Sequence, residues 1–377
     1  MNFDFADILL EVIECEASDL HLTAGSPPMV RKKGKLSPLD YPSLTSQDTR
    51  EIVYSILNNE QRKRLETDWQ IDLSYSVPNK ARFRVNAFFQ RASIGAVLRT
   101  IPTEIPMLTD LGLPPVLEDF TRKPRGFVLV TGPTGSGKST TLAAMIDMIN
   151  KERHEHILTI EDPIEFLHRH KNCVVNQREL GTDATSFAAG LKAALRQDPD
   201  VILVGEMRDL ETMATALTAA ETGHLVFATL HTQDTAQTVD RIVDAFPPAQ
   251  QHQVRTQLSI ALQGVITQQL LPTADGKDRV CATEVLVPTP GIRNLIREGK
   301  THQIYSALQT GAAHGMQTMD ASLVDLVRQG KITQQLAERR STTPDELKRL
   351  LGQGGGGPNG MGGMQPTMGV PNQGAMR

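Results

Sequence analysis

The sequence predicts an α/β protein in two parts. A small α+β domain spans residues 1–100, and a phosphate-loop domain spans 126–351, with a mainly parallel sheet and a helical C-terminal part. Three observations predict this. Gly132-Pro133-Thr134-Gly135-Ser136-Gly137-Lys138-Ser139 fits the pattern G-x-x-x-x-G-K-[ST] at every position. From Gly126 onward, apolar strands alternate with helical stretches, the pattern of a parallel sheet wrapped by helices. Before residue 100, strand follows strand, which suits an antiparallel sheet.

In the first part, apolar residues recur at helical spacing over 5–15. Asp19-Leu20-His21-Leu22 alternates as a strand does, and Gly25-Ser26-Pro27-Pro28 breaks it. Arg31, Lys32, Lys33 and Lys35 make a local basic patch, read as a solvated turn. Residues 48–65 form one helical stretch; strands follow at 71–75, 81–88 and 94–98. Residues 101–125 carry Pro102, Pro106, Pro114, Pro115 and Pro124. Proline fixes φ, so this segment reads as a linker of restricted flexibility. In the second part, strands are expected at 127–131, 156–160, 201–204 and 225–230, with a helix over 141–149. Residues 250–350 read as mostly helical, with a further strand at 281–287. Residues 352–377 are rich in Gly, Met, Pro, Asn and Gln and nearly uncharged, so they cannot bury a core and are expected to be disordered.

Bulk composition narrows the function classes. Of 377 residues, 39% are hydrophobic and 22% charged, ordinary for a soluble globular protein. The formal net charge of −4 gives no general attraction to nucleic acid. Cys15, Cys173 and Cys281 form no C-x-x-C pair, so neither a zinc site nor a disulfide framework is indicated, and reduced thiols suit the cytoplasm. The acidic N-terminus lacks the basic region of a signal peptide. No apolar run reaches the ~20 residues that span a bilayer, so any membrane contact is expected to be peripheral.

The phosphate loop has its required context, a buried strand before it and a helix after it. Its glycines let the backbone curl so that N–H groups face phosphate oxygens, and the helix N-terminus adds positive dipole. Lys138 can reach the β- and γ-phosphates, Ser139 can ligate Mg²⁺, and Thr140 completes the binding set. Hydrolysis at such a loop needs more: a carboxylate for the metal, a group to activate water, a γ-phosphate sensor and an arginine. In open α/β sheets these are sought at the carboxyl ends of strands.

Glu206 follows the strand Val201-Ile202-Leu203-Val204 and reads as the metal-linked carboxylate; the alternative is a surface glutamate at a strand end. Glu161 ends the strand Ile157-Leu158-Thr159-Ile160 and is the candidate general base; the alternative is a solvated loop carboxylate. His224 and His231 bracket strand 225–230 roughly 20 Å apart, too far to share a metal. His231, at the nucleotide-facing end, is the candidate γ-phosphate sensor, against an ordinary loop histidine; His224 suits a subunit contact. The pairs His154/His156 and His168/His170 read as structural or solvated. Arg82 and Arg84 alternate onto one sheet face near Arg91 and Arg99, either to meet a phosphate site or as a solvated basic face.

Together with the phosphate loop, TIEDPIE at 159–165, LVGEMRD at 203–209 and AAETGHLVFATLHT at 219–232 resemble the Walker A, Asp box, Walker B and His box of the secretion-superfamily hexameric ATPases. Ser18-Asp19-Leu20-His21-Leu22-Thr23 and RFRVNAF at 82–88 are similar to that family too. Ile292-Arg293-Asn294-Leu295-Ile296-Arg297-Glu298 and Gly315-Met316-Gln317-Thr318-Met319-Asp320 resemble its type IV pilus retraction branch. The usual alanine before that isoleucine is Gly291 here, and glycine costs about 1 kcal/mol against alanine inside a helix. The resemblance covers about residues 1–345.

The resemblance implies a PAS-like N-terminal domain, a RecA-like ATPase domain and a homohexameric ring using ATP and Mg²⁺. ATP would lie between the domains, with Arg82, Arg84 and Arg99 as arginine fingers. It supports Glu161 as catalytic carboxylate, Glu206 and Ser139 at Mg²⁺, and His231 as sensor. It implies ATP-driven pilus retraction and twitching motility at the cytoplasmic face of the inner membrane. The partners would be an inner-membrane platform protein and the paralogous accessory retraction ATPase, with no direct nucleic acid. Pilus-assembly and type II secretion relatives carry a long extra N-terminal region and a four-cysteine module, and this chain has neither. The accessory paralogue lacks a good IRNLIRE match. For a RecA-like nucleic-acid motor, the net charge and 4% aromatic content offer little for phosphate tracking or base stacking.

Overall fold

Two hydrogen-bonded sheets organise the chain. The computed structural model describes residues 4–32, 34–77, 80–102 and 104–352; apart from Gly352, the stretch expected to be disordered lies outside the described residues.

The first sheet belongs to α1 (Phe5–Glu14), β1 (Asp19–Leu22), β2 (Met29–Lys32), β3 (Lys35–Pro38), α2 (Ser46–Ile56), α3 (Asn59–Asp68), β4 (Gln70–Val77), β5 (Ala81–Gln90) and β6 (Ser93–Ile101). Its six strands run in the order β3-β2-β1-β6-β5-β4, every pair antiparallel. Ile8, Leu9 and Val12 of α1 and Ile52 and Val53 of α2 pack with Leu20, Phe83, Val85 and Leu98 of the sheet. The stretch expected as one helix is two. Leu57 is extended, and Asn58 restarts the chain with a capping box to Gln61, so side-chain bonds to free N–H groups outweigh continuity. The basic patch read as a solvated turn forms the edge hairpin β2–β3, with Lys33 outside the described residues.

The second sheet is built from β7 (Gly126–Thr131), α5 (Lys138–Glu152), β8 (His156–Glu161), β9 (Val174–Glu179), α6 (Phe187–Ala194), β10 (Val201–Val204), α7 (Leu210–Glu221), β11 (Leu225–Leu230), α8 (Thr235–Asp244), α9 (Pro248–Ala261), β12 (Leu262–Pro272) and β13 (Arg279–Leu286). The order is β13-β12-β7-β11-β10-β8-β9, parallel except for the β12–β13 pair. Every residue of β7, β10 and β11 is buried, as in a sheet covered on both faces. Leu142, Met145 and Ile146 of α5 pack on one face; α6 to α9 supply Leu191, Met213, Leu217, Val239 and Leu258 on the other.

The 11-residue β12 corrects the expectation of a mostly helical 250–350. The helix α9 passes straight into it at Leu262, and the one local mark is Gly264, beside which the pairing of β12 shifts register. The partner of β12 explains it: β7, far away in the chain, pairs with it in parallel. Residues 101–125, expected as a linker, contain α4 (Val116–Thr121). Its Phe120 ring lies over Gly264 of β12, where an added Cβ would come within 2.4 Å of it. Beyond β13, α10 (Pro290–Glu298), α11 (Ile304–Thr310), α12 (Met319–Arg328), α13 (Gln334–Arg340) and α14 (Pro344–Leu350) are the remaining α-helices of the described residues.

Candidate active site

The carboxyl ends of β7, β8, β10 and β11 converge, as open α/β sheets require of a ligand site. The phosphate loop leaves β7 there. Gly132, Gly135 and Gly137 hold φ of 132°, 79° and 92°, in the region that favours glycine. At Gly132 a Cβ would also meet the Gln268 carbonyl oxygen at 2.4 Å. Gly137 caps α5, so Lys138 and Ser139 open the helix and its free N–H groups point out of the loop. Lys138 Nζ donates to the carbonyls of Gly132 at 2.7 Å and Pro133 at 3.0 Å. Burial pulls its pKa down, while Glu206 opposes this. The buried Ser136 Oγ has no partner among the described residues.

A cleft of about 540 Å³ opens in front of this loop. Thr134, Gly135, Gly137, Lys138, Ser139 and Thr140 line it; Gly132, Pro133 and Ser136 of the same loop do not. Glu161, Glu206 and His231 also line it, and Arg84 and Arg99 reach it from the first sheet. Of the residues expected at the site, only Arg82 among the functional side chains is diverted. Its Nη2 donates to Glu179 Oε2 at 2.8 Å, which holds it away from the cleft. Arg84 and Arg99 are cross-strand neighbours on β5 and β6. Arg99 is tied to Asp19 at 2.9 Å, whereas Arg84 is exposed and makes no ion pair among the described residues.

The two glutamates differ in environment. Glu161 is 9% exposed; its Oε1 accepts from Thr159 Oγ1 at 2.6 Å and Gln177 Nε2 at 3.1 Å. Burial pushes its carboxyl above the ordinary range, against those hydrogen bonds. A raised carboxylate takes a proton readily, as a general base must. Glu206 receives Arg208 through both oxygens at 2.6 and 2.7 Å, and His231 Nε2 stands 3.1 Å from Oε1. The Arg208 guanidinium, helped by His231, holds Glu206 below the usual range, so it stays charged. One carboxylate is thus tuned to take protons and the other to remain an anion, a division typical of sites with two acidic roles.

No group of three His, Cys, Asp or Glu side chains among the described residues could hold a metal alone. Mg²⁺ keeps waters and leans on few protein oxygens plus substrate phosphates. Ser139 and Glu206, both on the cleft, would hold it.

The other histidines divide as well. His224 lies at the far end of β11, its Nδ1 2.9 Å from the Ala219 carbonyl. The rings of His156 and His170 are held by Asp198 and Val175 backbone atoms. His168, read as structural or solvated, lines the cleft with a buried Nδ1 that has no hydrogen-bond partner among the described residues. Sequence reading missed three more features: Gln177 against Glu161, Glu179 against Arg82, and Arg279 on the cleft wall. Asn176-Gln177-Arg178-Glu179 is polar at every position, so no apolar/polar alternation marked it as a strand and the sequence carried no local signal for the first two.

Comparison with known proteins agrees with this geometry. Residues 4–349 match the type II/IV secretion system protein family. The type IV pilus retraction ATPase PilT of Pseudomonas aeruginosa is 52% identical over 344 residues, covering 91% of this chain and all of that protein. The type IV pilus ATPase PilU of the same organism is 42% identical, covering 92% of this chain and 91% of that one. A crystal structure of the pilus retraction motor PilT with bound ADP superposes with a TM-score of 0.86 at 53% identity, covering 92% of this chain and all of that one. The chain belongs to the type II/IV secretion system protein family.

Proposed function

We propose that this chain is the subunit of a homohexameric ATPase that drives type IV pilus retraction from the cytoplasmic face of the inner membrane. One observation carries the reading. The phosphate loop, buried Glu161 and the Glu206–His231 pair meet in a single cleft faced by Arg84 and Arg99 of the other sheet. A 52% identical pilus retraction ATPase of matching length supports the pilus as the load over other secretion cargo. The preference over the accessory paralogue rests on its lower identity of 42%.

Lys138 leaves the Gly132 and Pro133 carbonyls to meet the β- and γ-phosphates. Glu161 takes a proton from water as its oxygen attacks the γ-phosphorus in line, and the bond to the β–γ bridging oxygen breaks to release ADP. Mg²⁺, when bound near Ser139 and Glu206, neutralises charge on the phosphates. Arg84 and Arg99 face the charge that develops on the transferred group, and His231 senses the γ-phosphate through Glu206. Loss of that phosphate removes its attraction for Arg84 and Arg99, and the cleft reopens about the Arg82–Glu179 pair, which keeps the sheets joined. Repeated around a ring, this opening and closing turns an inner-membrane platform protein, with the accessory retraction ATPase as a further partner.

The test is deletion of the gene in its host, complemented with wild type or Lys138→Ala. Excess surface pili with lost twitching, restored only by wild type, is the expected result. Loss of surface pili would place the chain in assembly instead and overturn the reading.

A further inference from the structure

Strand β9 sits at the edge of the second sheet and lies outside every motif recognised in the sequence. Its register with β8 sets Thr159 beside Gln177 and Glu161 beside Glu179. Alternation puts all four side chains on one face of the sheet. The Gln177 amide is fully used there. Its Nε2 donates to Glu161 Oε1 at 3.1 Å and to the Phe166 carbonyl at 2.8 Å, while its Oε1 accepts from the His168 backbone N–H at 2.8 Å. These partners fix which end of the amide is oxygen: a backbone N–H only donates, and a carbonyl only accepts. The amide therefore cannot flip without losing all three bonds.

The effect on Glu161 is directional. Thr159 and Gln177 both bind Oε1. Among the described residues Oε2 has only the Glu165 backbone N–H, at 3.5 Å. One oxygen is anchored and the other is left to receive a proton from the cleft. The same amide holds loop 162–168, which forms part of the cleft wall through Glu165, Phe166 and His168. The position of the carboxylate and the shape of the wall thus depend on one side chain.

We propose that Gln177 is a positioning residue for the hydrolysis step: it anchors Glu161 Oε1 so that Oε2 faces the attacking water, and it locks loop 162–168 to that carboxylate. The inference rests on the reading of Glu161 as the base. It assigns Gln177 no contact with ATP, so its loss acts on turnover and leaves nucleotide affinity in place. A misplacement of about 1 Å in a reacting group costs on the order of 100-fold in rate.

The experiment measures steady-state ATPase kinetics of the purified full-length ring for Gln177→Met, Gln177→Glu, Glu161→Gln and the double variant Glu161→Gln/Gln177→Met. Affinity for a fluorescent ATP analogue and ring mass are measured in parallel. Gln177→Met is expected to lower kcat about 10- to 100-fold with KM and analogue affinity within about twofold. Gln177→Glu keeps the acceptor for His168 but sets a second carboxylate against Glu161, so it should be slower still. A residue that merely holds the loop would give the opposite order. The double variant should turn over no more slowly than Glu161→Gln alone, because two changes on one step do not add. A Gln177→Met ring with wild-type kcat, beside an inactive Glu161→Gln ring, overturns this inference and leaves the base assignment standing. A Glu161→Gln ring with wild-type turnover overturns both. If Gln177→Met fails to form rings, Thr159→Val against Thr159→Ser tests the same anchoring of Oε1: only the valine variant should lose kcat, and equal rates would overturn the anchoring.

Discussion

Arg82 and Glu179 join the two sheets across a largely buried ion pair, 2.8 Å from Nη2 to Oε2, with side chains 17% and 4% exposed. Ser74 Oγ donates to the other oxygen of Glu179 at 2.5 Å, and the Ile164 N–H donates to Oε2 at 3.1 Å. Glu179 is the register partner of Glu161, so the clasp between the sheets lies one strand from the candidate base. It divides the arginines of the first sheet. Arg82 joins the two sheets, and Arg84 and Arg99 line the cleft in front of the phosphate loop.

A double-mutant cycle on ATPase rate distinguishes a clasp from an arginine finger. Removing one partner of a buried pair leaves the other charge uncompensated. Arg82→Ala and Glu179→Ala should therefore each lower activity by a similar factor, and the double variant should be no worse than either. A finger would lose about 10³-fold or more in kcat on Arg82→Ala whatever stands at 179. Additive losses in the cycle would count against the clasp.

The site was legible where chemistry and chain order coincide. Lys138, Glu161, Glu206 and His231 each follow an apolar strand that the sequence marks plainly, and all four meet in the cleft. What was not legible depends on partners distant in the chain. Arg82 and Arg84 carry the same local pattern, and only Glu179, 97 residues away, separates their environments. Strand β12 follows α9 without a break because its pairing with β7, over a hundred residues earlier, decides its form. Gln177 is one glutamine among many until β9 is laid beside β8.

Gly132→Ala should abolish nucleotide binding while the fold persists. The new Cβ would meet the Gln268 carbonyl oxygen at 2.4 Å and Ser136 Oγ at 2.8 Å, on a residue with φ of 132°. Backbone cannot yield as a flexible side chain does, so the loop must shift and its N–H groups lose their common focus. Equilibrium binding of a fluorescent ATP analogue checks this, with circular dichroism for the fold. Wild-type affinity would show that the loop absorbs the methyl group.

Gly291→Ala should stabilise the chain without changing turnover. Gly291 follows Pro290 at the start of α10, and Thr289 caps the helix. An added Cβ there meets only Thr289 Oγ1, at 3.9 Å. Alanine fits that space and narrows the unfolded ensemble, a gain of about 0.4–1 kcal/mol. The helix forms despite the glycine because capping and the burial of Ile292 and Ile296 outweigh its propensity cost. A small rise in melting temperature with unchanged kcat is expected; a fall would mean that glycine serves a contact beyond this chain.

His168 should make the protein acid-sensitive well above the carboxylate range. Burial lowers its pKa from about 6.5 to about 4; Asp147 opposes this and Lys171 adds to it. The ring is neutral in the folded state and takes a proton more readily when unfolded. Its contribution to stability is therefore complete above about pH 6.5 and is lost as pH falls from there through about 4. At pH 5 the loss is on the order of 2 kcal/mol. Asp147 does not confuse the reading. Burial raises its pKa, but Lys151 and Lys171 outweigh that and hold it below the ordinary aspartate value, so it titrates outside this window. His168→Gln keeps a polar side chain that does not titrate. Melting temperatures of both proteins at pH 7.5 and pH 5 give the test: wild type should lose several degrees more than the variant on acidification. Equal losses would mean that the His168 ring reaches solvent and takes its proton without unfolding.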